Sequence, residues 1–170
     1  KYVKSFLSAS RGDEDYTYGE RLKAYPREGY ESEFLQHVDD KGEFRKVLKT
    51  ALSANKLNQQ KLLVEKLKSF PENKGALAVL WEPIIDNFGL REIWRTPCLV
   101  LVQAMIRDAK LYLTAYFRSN DMFGGWPLNA FGLRAFQQEL INQIDSKIKL
   151  GPLTTISHSA HIYESSWQAA

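Results

Sequence analysis

The chain carries a single cysteine, Cys98, directly after Pro97 at the head of an apolar run. A thiol there is either a small buried hydrophobe or, once ionised, a soft nucleophile for an electron-poor carbon. Arg118-Ser119-Asn120-Asp121 sets a permanently charged fork of donors, a hydroxyl, an amide and a carboxylate in successive positions. Turn and cap chemistry accounts for Asn120 and Asp121, but less well for an arginine sharing a strand face with tyrosines. Arg118 with Ser119 suits a phosphate group, and a guanidinium near Cys98 would favour its thiolate. Asn129 is either a helix N-cap or an amide whose donor and acceptor match the N–H and C=O of a pyrimidine edge. His158 and His161 stand three apart, which on a strand points them to opposite faces and argues against a shared metal. His161 is better placed to work with Tyr163, two residues on and on the same face.

These groups need elements to hold them. The polar, turn-rich opening predicts a short helix and then loop, with Arg11-Gly12-Asp13 and the stretch from Pro26 to Gly29 as punctuation and an aromatic cluster around Tyr16 and Tyr18. A helical stretch is expected from Glu43 to Phe70, broken near Ser53 to Asn55, with Leu63, Leu67 and Phe70 as its apolar stripe and Pro71 as its stop. Ala76 to Trp81 reads as a buried strand, and Glu82 to Arg95 as a connection. Cys98 to Arg107 and Lys110 to Ser119, separated by Asp108-Ala109, predict an antiparallel hairpin. A turn there places position 98 opposite about position 119. Leu111, Leu113, Ala115 and Phe117 alternate with Tyr112, Thr114, Tyr116 and Arg118, so one face is aliphatic and the other carries Arg118. Asn129 to Ile144 has the spacing of an amphipathic helix, Gly151-Pro152 ends the following connection, and Leu153 to Tyr163 is a β-branched strand. Helices and strands without strict βαβ alternation make the class α+β.

The 170 residues predict one domain, on a scale of ~150 residues each. With 44% hydrophobic and 25% charged residues the composition is that of an ordinary globular chain. A formal charge of +3, without a Lys/Arg block, argues against a nucleic-acid binder and leaves room for a small anionic ligand. One cysteine allows no internal disulfide, and no apolar run has membrane-span or signal-peptide character, so the cytoplasm is the expected location. Lys1 in place of Met suggests a chain processed or cut from something longer.

Taken in order, Tyr18-Gly19-Glu20-Arg21, Pro97-Cys98-Leu99, Phe117 to Asp121, Gly125 to Asn129 and His161-Ile162-Tyr163 resemble the thymidylate synthase family, nearer its archaeal-type branch. The resemblance implies a mixed or antiparallel sheet packed by helices and a homodimer joined sheet to sheet. It also implies reductive methylation of deoxyuridine monophosphate by methylenetetrahydrofolate or a related pterin; the residues themselves point to no metal, nucleic acid or membrane partner. On that resemblance Cys98 is the nucleophile for uracil C6, and Tyr18 lies near the proton lost from C5. Arg118, Ser119 and Lys74 match phosphate positions. Asn129 matches the residue that reads the base, where cytidylate-using relatives carry aspartate. His161 and Tyr163 match the ribose pair, and Asp121 with Gly125 the pterin side, while Gln103 is read as structural. Where the family has paired arginines reaching to the partner's phosphate, this chain has Asn73-Lys74-Gly75. The early phosphate-loop arginine, the proton-transfer glutamate and the closing C-terminal tail have no match, so the resemblance implies a domain short at both ends. Two other readings stand beside the synthase: a non-catalytic nucleotide-binding or assembly domain of the same fold, and a pyrimidine-nucleotide methylase using another pterin carrier.

Overall fold

The strongest local signal in the chain, two alternating runs around Asp108-Ala109, folds as a two-residue hairpin in which both turn residues have positive φ, 48° and 55°. That is the turn geometry whose twist matches the flanking strands. The computed structural model describes residues 2–10, 17–26, 56–81, 86 and 96–170. Among them are helices α1 (Tyr2–Leu7), α2 (Tyr18–Lys23), α3 (Gln59–Ser69) and α4 (Trp126–Ile144), and strands β1 (Tyr25–Pro26), β2 (Lys56–Leu57), β3 (Leu77–Val79), β4 (Leu99–Arg107), β5 (Lys110–Asp121) and β6 (Lys149–His161). The expected helix before Asn55 and most of the connection from Glu82 to Arg95 lie outside the described residues, as do Arg11-Gly12-Asp13 and Tyr16.

β3, β4, β5 and β6 form one sheet in that order, antiparallel except for the parallel β5–β6 pair, and β1 with β2 makes a small separate ladder. The parallel pair is joined through α4, as a crossover connection requires. Leu111, Leu113, Ala115 and Phe117 are fully buried, and α4 lays Leu133, Phe136 and Leu140 into the same core. Buried Gln137 donates from Nε2 to the Leu111 carbonyl at 2.5 Å and the Gly151 carbonyl at 3.3 Å, tying α4 to the sheet. Gly151 is required there, because a Cβ would lie 2.6 Å from the Leu111 oxygen.

Several expectations are corrected. Gly151 and Pro152 lie inside β6, beside a register shift at Leu111/Leu113, and do not precede the strand. The strand expected over Ala76 to Trp81 is shorter and buried on one side only: Ala78 is inaccessible while Leu77 and Val79 are 41% and 38% exposed. Phe70 is 68% exposed because α3 ends at Ser69, so the buried stripe is Leu63, Val64 and Leu67. Tyr18 to Lys23 form a helix capped by the Thr17 hydroxyl, which accepts from the Glu20 amide. α4 begins at Trp126, with Pro127 in its first turn, so Asn129 sits inside the helix and Gly125 takes the cap position.

Candidate functional site

The start of β4, the ends of β5 and β6 and the first turn of α4 meet at one end of the sheet. Turn-proximal pairs of the hairpin run in register up to Leu101↔Tyr116, but Leu99 pairs with Phe117. The shift marks an extra residue on β4, a β-bulge at Val100. It brings Cys98 opposite Arg118, not the position 119 that a regular ladder would give: the Arg118 amide donates to the Cys98 carbonyl at 2.9 Å. The bulge also moves burial from Leu99 to Val102, three residues apart where an unbroken strand repeats every two.

The Arg118 guanidinium is held in place. Nε donates to the Pro97 carbonyl at 3.0 Å, and Nη2 to the Thr96 carbonyl and hydroxyl at 2.9 and 2.8 Å. Its carbon lies 5.3 Å from the centre of the Trp81 ring, a cation–π distance. Cys98 is partly buried against the core. Burial pushes its thiol above the ordinary range, and the positive charge of Arg118 pulls it back part of the way. In the free protein the thiol is therefore the resting form, and the arginine is the group that makes ionisation easier.

Ser119 follows on β5, paired with Ser159. Asn120 is buried and donates to the Ser157 hydroxyl at 2.9 Å, tying β5 to β6. Asp121 pairs with His161 across the parallel ladder, and its two oxygens accept from the Phe123 and Gly124 amides at 3.2 and 3.1 Å. These bonds leave lone pairs on both oxygens. Gly125 turns close against this strand end, where a Cβ would stand 3.1 Å from the Asp121 carbonyl. Asn129 is 5% exposed in the first turns of α4.

His161 Nδ1 lies 3.2 Å from the Ser159 carbonyl, which puts a proton on Nδ1 and leaves Nε2 as an acceptor. Its ring meets that of Tyr163 edge-on at 4.9 Å, and Tyr163 is exposed, so the expected proximity of this pair is present. Among the described residues, no three His, Cys, Asp or Glu side chains gather as metal ligands, and no helix is long and apolar enough to cross a membrane.

Two of the residues singled out from the sequence are carried elsewhere than on these strand ends. Tyr18 is on α2, 8% exposed, with its ring 4.8 Å from that of Phe6. Lys74 lies in the turn before β3, where its carbonyl accepts from Gln103 Nε2 at 2.6 Å. Gln103 is five positions along β4 from Cys98, roughly 17 Å at strand rise. The structural reading of Gln103 is matched by that bond. Trp81 and Thr96 contribute to the environment of Arg118 and were not singled out by residue type. The one sequence signal was a tryptophan closing an apolar run, and its partner lies on a strand that only the sheet order brings near.

The chain belongs to the thymidylate synthase family, whose model matches residues 3–170. It is 31% identical over 168 residues to a Methanosarcina barkeri protein named "putative thymidylate synthase", covering 98% of this chain and 62% of that protein. A Methanothermobacter marburgensis protein of the same name is 31% identical over 170 residues, 100% of this chain and 60% of that one. The chain thus spans about three fifths of the length of these curated relatives. Deoxyuridylate hydroxymethyltransferase of Bacillus phage SP01 is 31% identical over 112 residues, 64% of this chain and 28% of that protein. The solved structure of thermostable thymidylate synthase A from Bacillus subtilis superposes with a TM-score of 0.56 at 28% identity, covering 69% of this chain and 40% of that chain.

Proposed function

We propose that this protein acts at C5 of the uracil ring of deoxyuridine monophosphate, with Cys98 as the nucleophile of a reductive methylation to thymidylate. The observation that carries the reading is the bulge at Val100, which sets the thiol-bearing residue against Arg118. In this reading the Cys98 thiolate adds to C6, the C5–C6 double bond is spent, and C5 becomes a carbon nucleophile. Once C5 has gained its new carbon and lost its proton, the sulfur leaves C6 and the double bond returns. Methylenetetrahydrofolate, when bound, would supply the one-carbon unit and the hydride that reduces it to methyl before the sulfur leaves, itself departing as dihydrofolate.

Arg118 and Ser119 take the phosphate. The Arg118 bonds to Thr96 and Pro97 use Nε and Nη2, so Nη1 is the part of the fork left for an anion. Asn129 matches the base edge, and His161 Nε2 with the Tyr163 hydroxyl serves a ribose hydroxyl. The spare lone pairs of Asp121 suit the adjacent N–H donors of a pterin, and the absence of a side chain at Gly125 keeps that approach open. Tyr18 is assigned to the C5 proton. A homodimer would cover the sheet face that no described helix covers, where Leu77, Val79 and Ile156 are 41%, 38% and 48% exposed. In that dimer Lys74, distant from Cys98 along its own sheet, would serve the partner's phosphate.

The raised thiol favours a second reading, a nucleotide-binding domain without turnover. Incubation with 5-fluorodeoxyuridylate and methylenetetrahydrofolate, followed by intact mass, separates the two. An adduct mapped to Cys98 is the expected result. An unchanged mass with calorimetric deoxyuridylate binding would favour the second reading, and an unchanged mass without binding would sink both.

A further inference from the structure

We propose that Tyr25 and Trp81 are positioning residues that fix the Arg118 guanidinium beside Cys98 and couple it to the buried ion pair between Arg21 of α2 and Asp86. The proposal rests on the reading of Cys98 and Arg118 as one functional pair.

A continuous set of contacts carries it. Arg21 and Asp86 are both buried and paired twice, Nη2 to Oδ1 at 2.9 Å and Nη1 to Oδ2 at 3.2 Å. The Arg21 carbon lies 5.9 Å from the centre of the Tyr25 ring. The Tyr25 hydroxyl donates to the Trp81 carbonyl at 3.0 Å. From the other side, the Leu80 and Trp81 amides both donate to the carbonyl of Val100, the bulge residue, at 2.7 and 3.4 Å. Trp81 is therefore pinned between Tyr25 on β1 and the irregularity that sets Cys98 opposite Arg118, and its ring is the surface on which Arg118 lies.

A guanidinium is multiply tethered here for a physical reason. Its effect on a thiol falls steeply with distance and with access of water between the charges. The Thr96 and Pro97 carbonyls hold one edge of the fork, but they belong to the stretch leading into Cys98 and move with it. The Trp81 ring is a reference on a different segment, two residues past the end of β3 and tied to Val100 by its own amide. If the Trp81 backbone loses the Tyr25 hydroxyl, the ring tilts and Arg118 gains freedom to swing toward solvent. Tyr25 and Trp81 touch neither nucleotide nor thiol in this scheme; they act through Arg118.

The lone cysteine makes the test clean, since every thiol alkylation reports Cys98 once the labelled peptide is mapped. The rate of iodoacetamide labelling of the full chain would be measured across pH for the unsubstituted protein, Tyr25→Phe, Trp81→Leu and Trp81→Phe. Expected is a fall of about threefold at neutral pH for Tyr25→Phe, a larger fall for Trp81→Leu and near-recovery for Trp81→Phe. At high pH, where the thiol is ionised in every variant, the rates should converge. A loosened structure would instead expose the thiol and raise the rate at all pH values. That result, or a Tyr25→Phe profile identical to the unsubstituted one, would overturn the proposal. Tyr25→Phe alone decides the matter should Trp81→Leu not fold. Labelling needs no nucleotide, so a missing fluorodeoxyuridylate adduct would count against the function while the pH profile still judges the positioning.

Discussion

The amide of Arg118 donates to the carbonyl of Cys98 at 2.9 Å, a contact that exists because one extra residue interrupts the ladder at Val100. The guanidinium opposes the effect of burial on the thiol without overcoming it.

Removing that charge leaves burial unopposed. Arg118→Met should slow alkylation of Cys98 at neutral pH by roughly tenfold, the direction expected when an opposite charge is withdrawn from an ionising group. A raised thiol also has a stability consequence. The unfolded chain releases the Cys98 proton before the folded one, so its contribution is intact below the unfolded value of 9.0 and is lost as pH rises through the higher folded value. Arg118→Met should sharpen that alkaline loss, as seen in melts across the alkaline range. An unmoved labelling profile would show that the charge does not reach the thiol.

Asn129 is buried at the head of α4, and an amide side chain carries both a donor and an acceptor. Asn129→Asp should cost deoxyuridylate about tenfold or more in calorimetric affinity and shift preference toward deoxycytidylate. Equal losses for both nucleotides would remove Asn129 from base reading.

The Arg21–Asp86 pair has side chains 0% and 1% exposed. Asp86→Ala would leave a buried cation and should cost about 3–5 kcal/mol in denaturant unfolding. Arg21→Met combined with Asp86→Leu should recover most of that loss. A double variant as unstable as the single one would mean that the pair is needed for more than charge balance.

α1 is docked through Phe6, whose ring crosses α4 over Gly132. A Cβ at that position would stand 2.3 Å from Phe6 Cδ2. Gly132→Ala should lower stability by about 1–3 kcal/mol, as overpacking does. Phe6→Ala in the same chain should make the added methyl nearly neutral, which a double-mutant cycle checks.

The hairpin, α4 and the aliphatic face of β5 were legible because each is written in a local period: alternation around Asp108-Ala109, and Leu133, Phe136 and Leu140 on one helix face. The candidate site was read as a set of residue types in order, and the structure carries Cys98, Arg118, Ser119, Asp121, Gly125, Asn129, His161 and Tyr163 near one end of the sheet. What escaped was non-local or one residue wide. A bulge leaves no mark on an apolar run such as Leu99 to Val102, yet it decides which residue faces Cys98. Phe70 satisfies the helical spacing but falls beyond the C-cap. Tyr25, Trp81 and Asp86 meet their partners only through sheet order and helix docking, so neither spacing nor composition could bring them together.

The parallel pairing of β5 with β6 also imposes a sequence of events on assembly. Residues 99–121 close through a two-residue turn, whereas β6 must return across the whole of α4 before it can join. Loop-closure entropy grows with the length spanned, so the hairpin is the early nucleus and β6 the late addition. The strand pair that sets Cys98 opposite Arg118 would therefore be in register before His161 and Tyr163 arrive. Pulsed hydrogen exchange during refolding should show protection of the β4–β5 amides ahead of those in β6; simultaneous protection would mean that the sheet condenses in one step. A register error at the bulge would consequently be made early and inherited by every later contact.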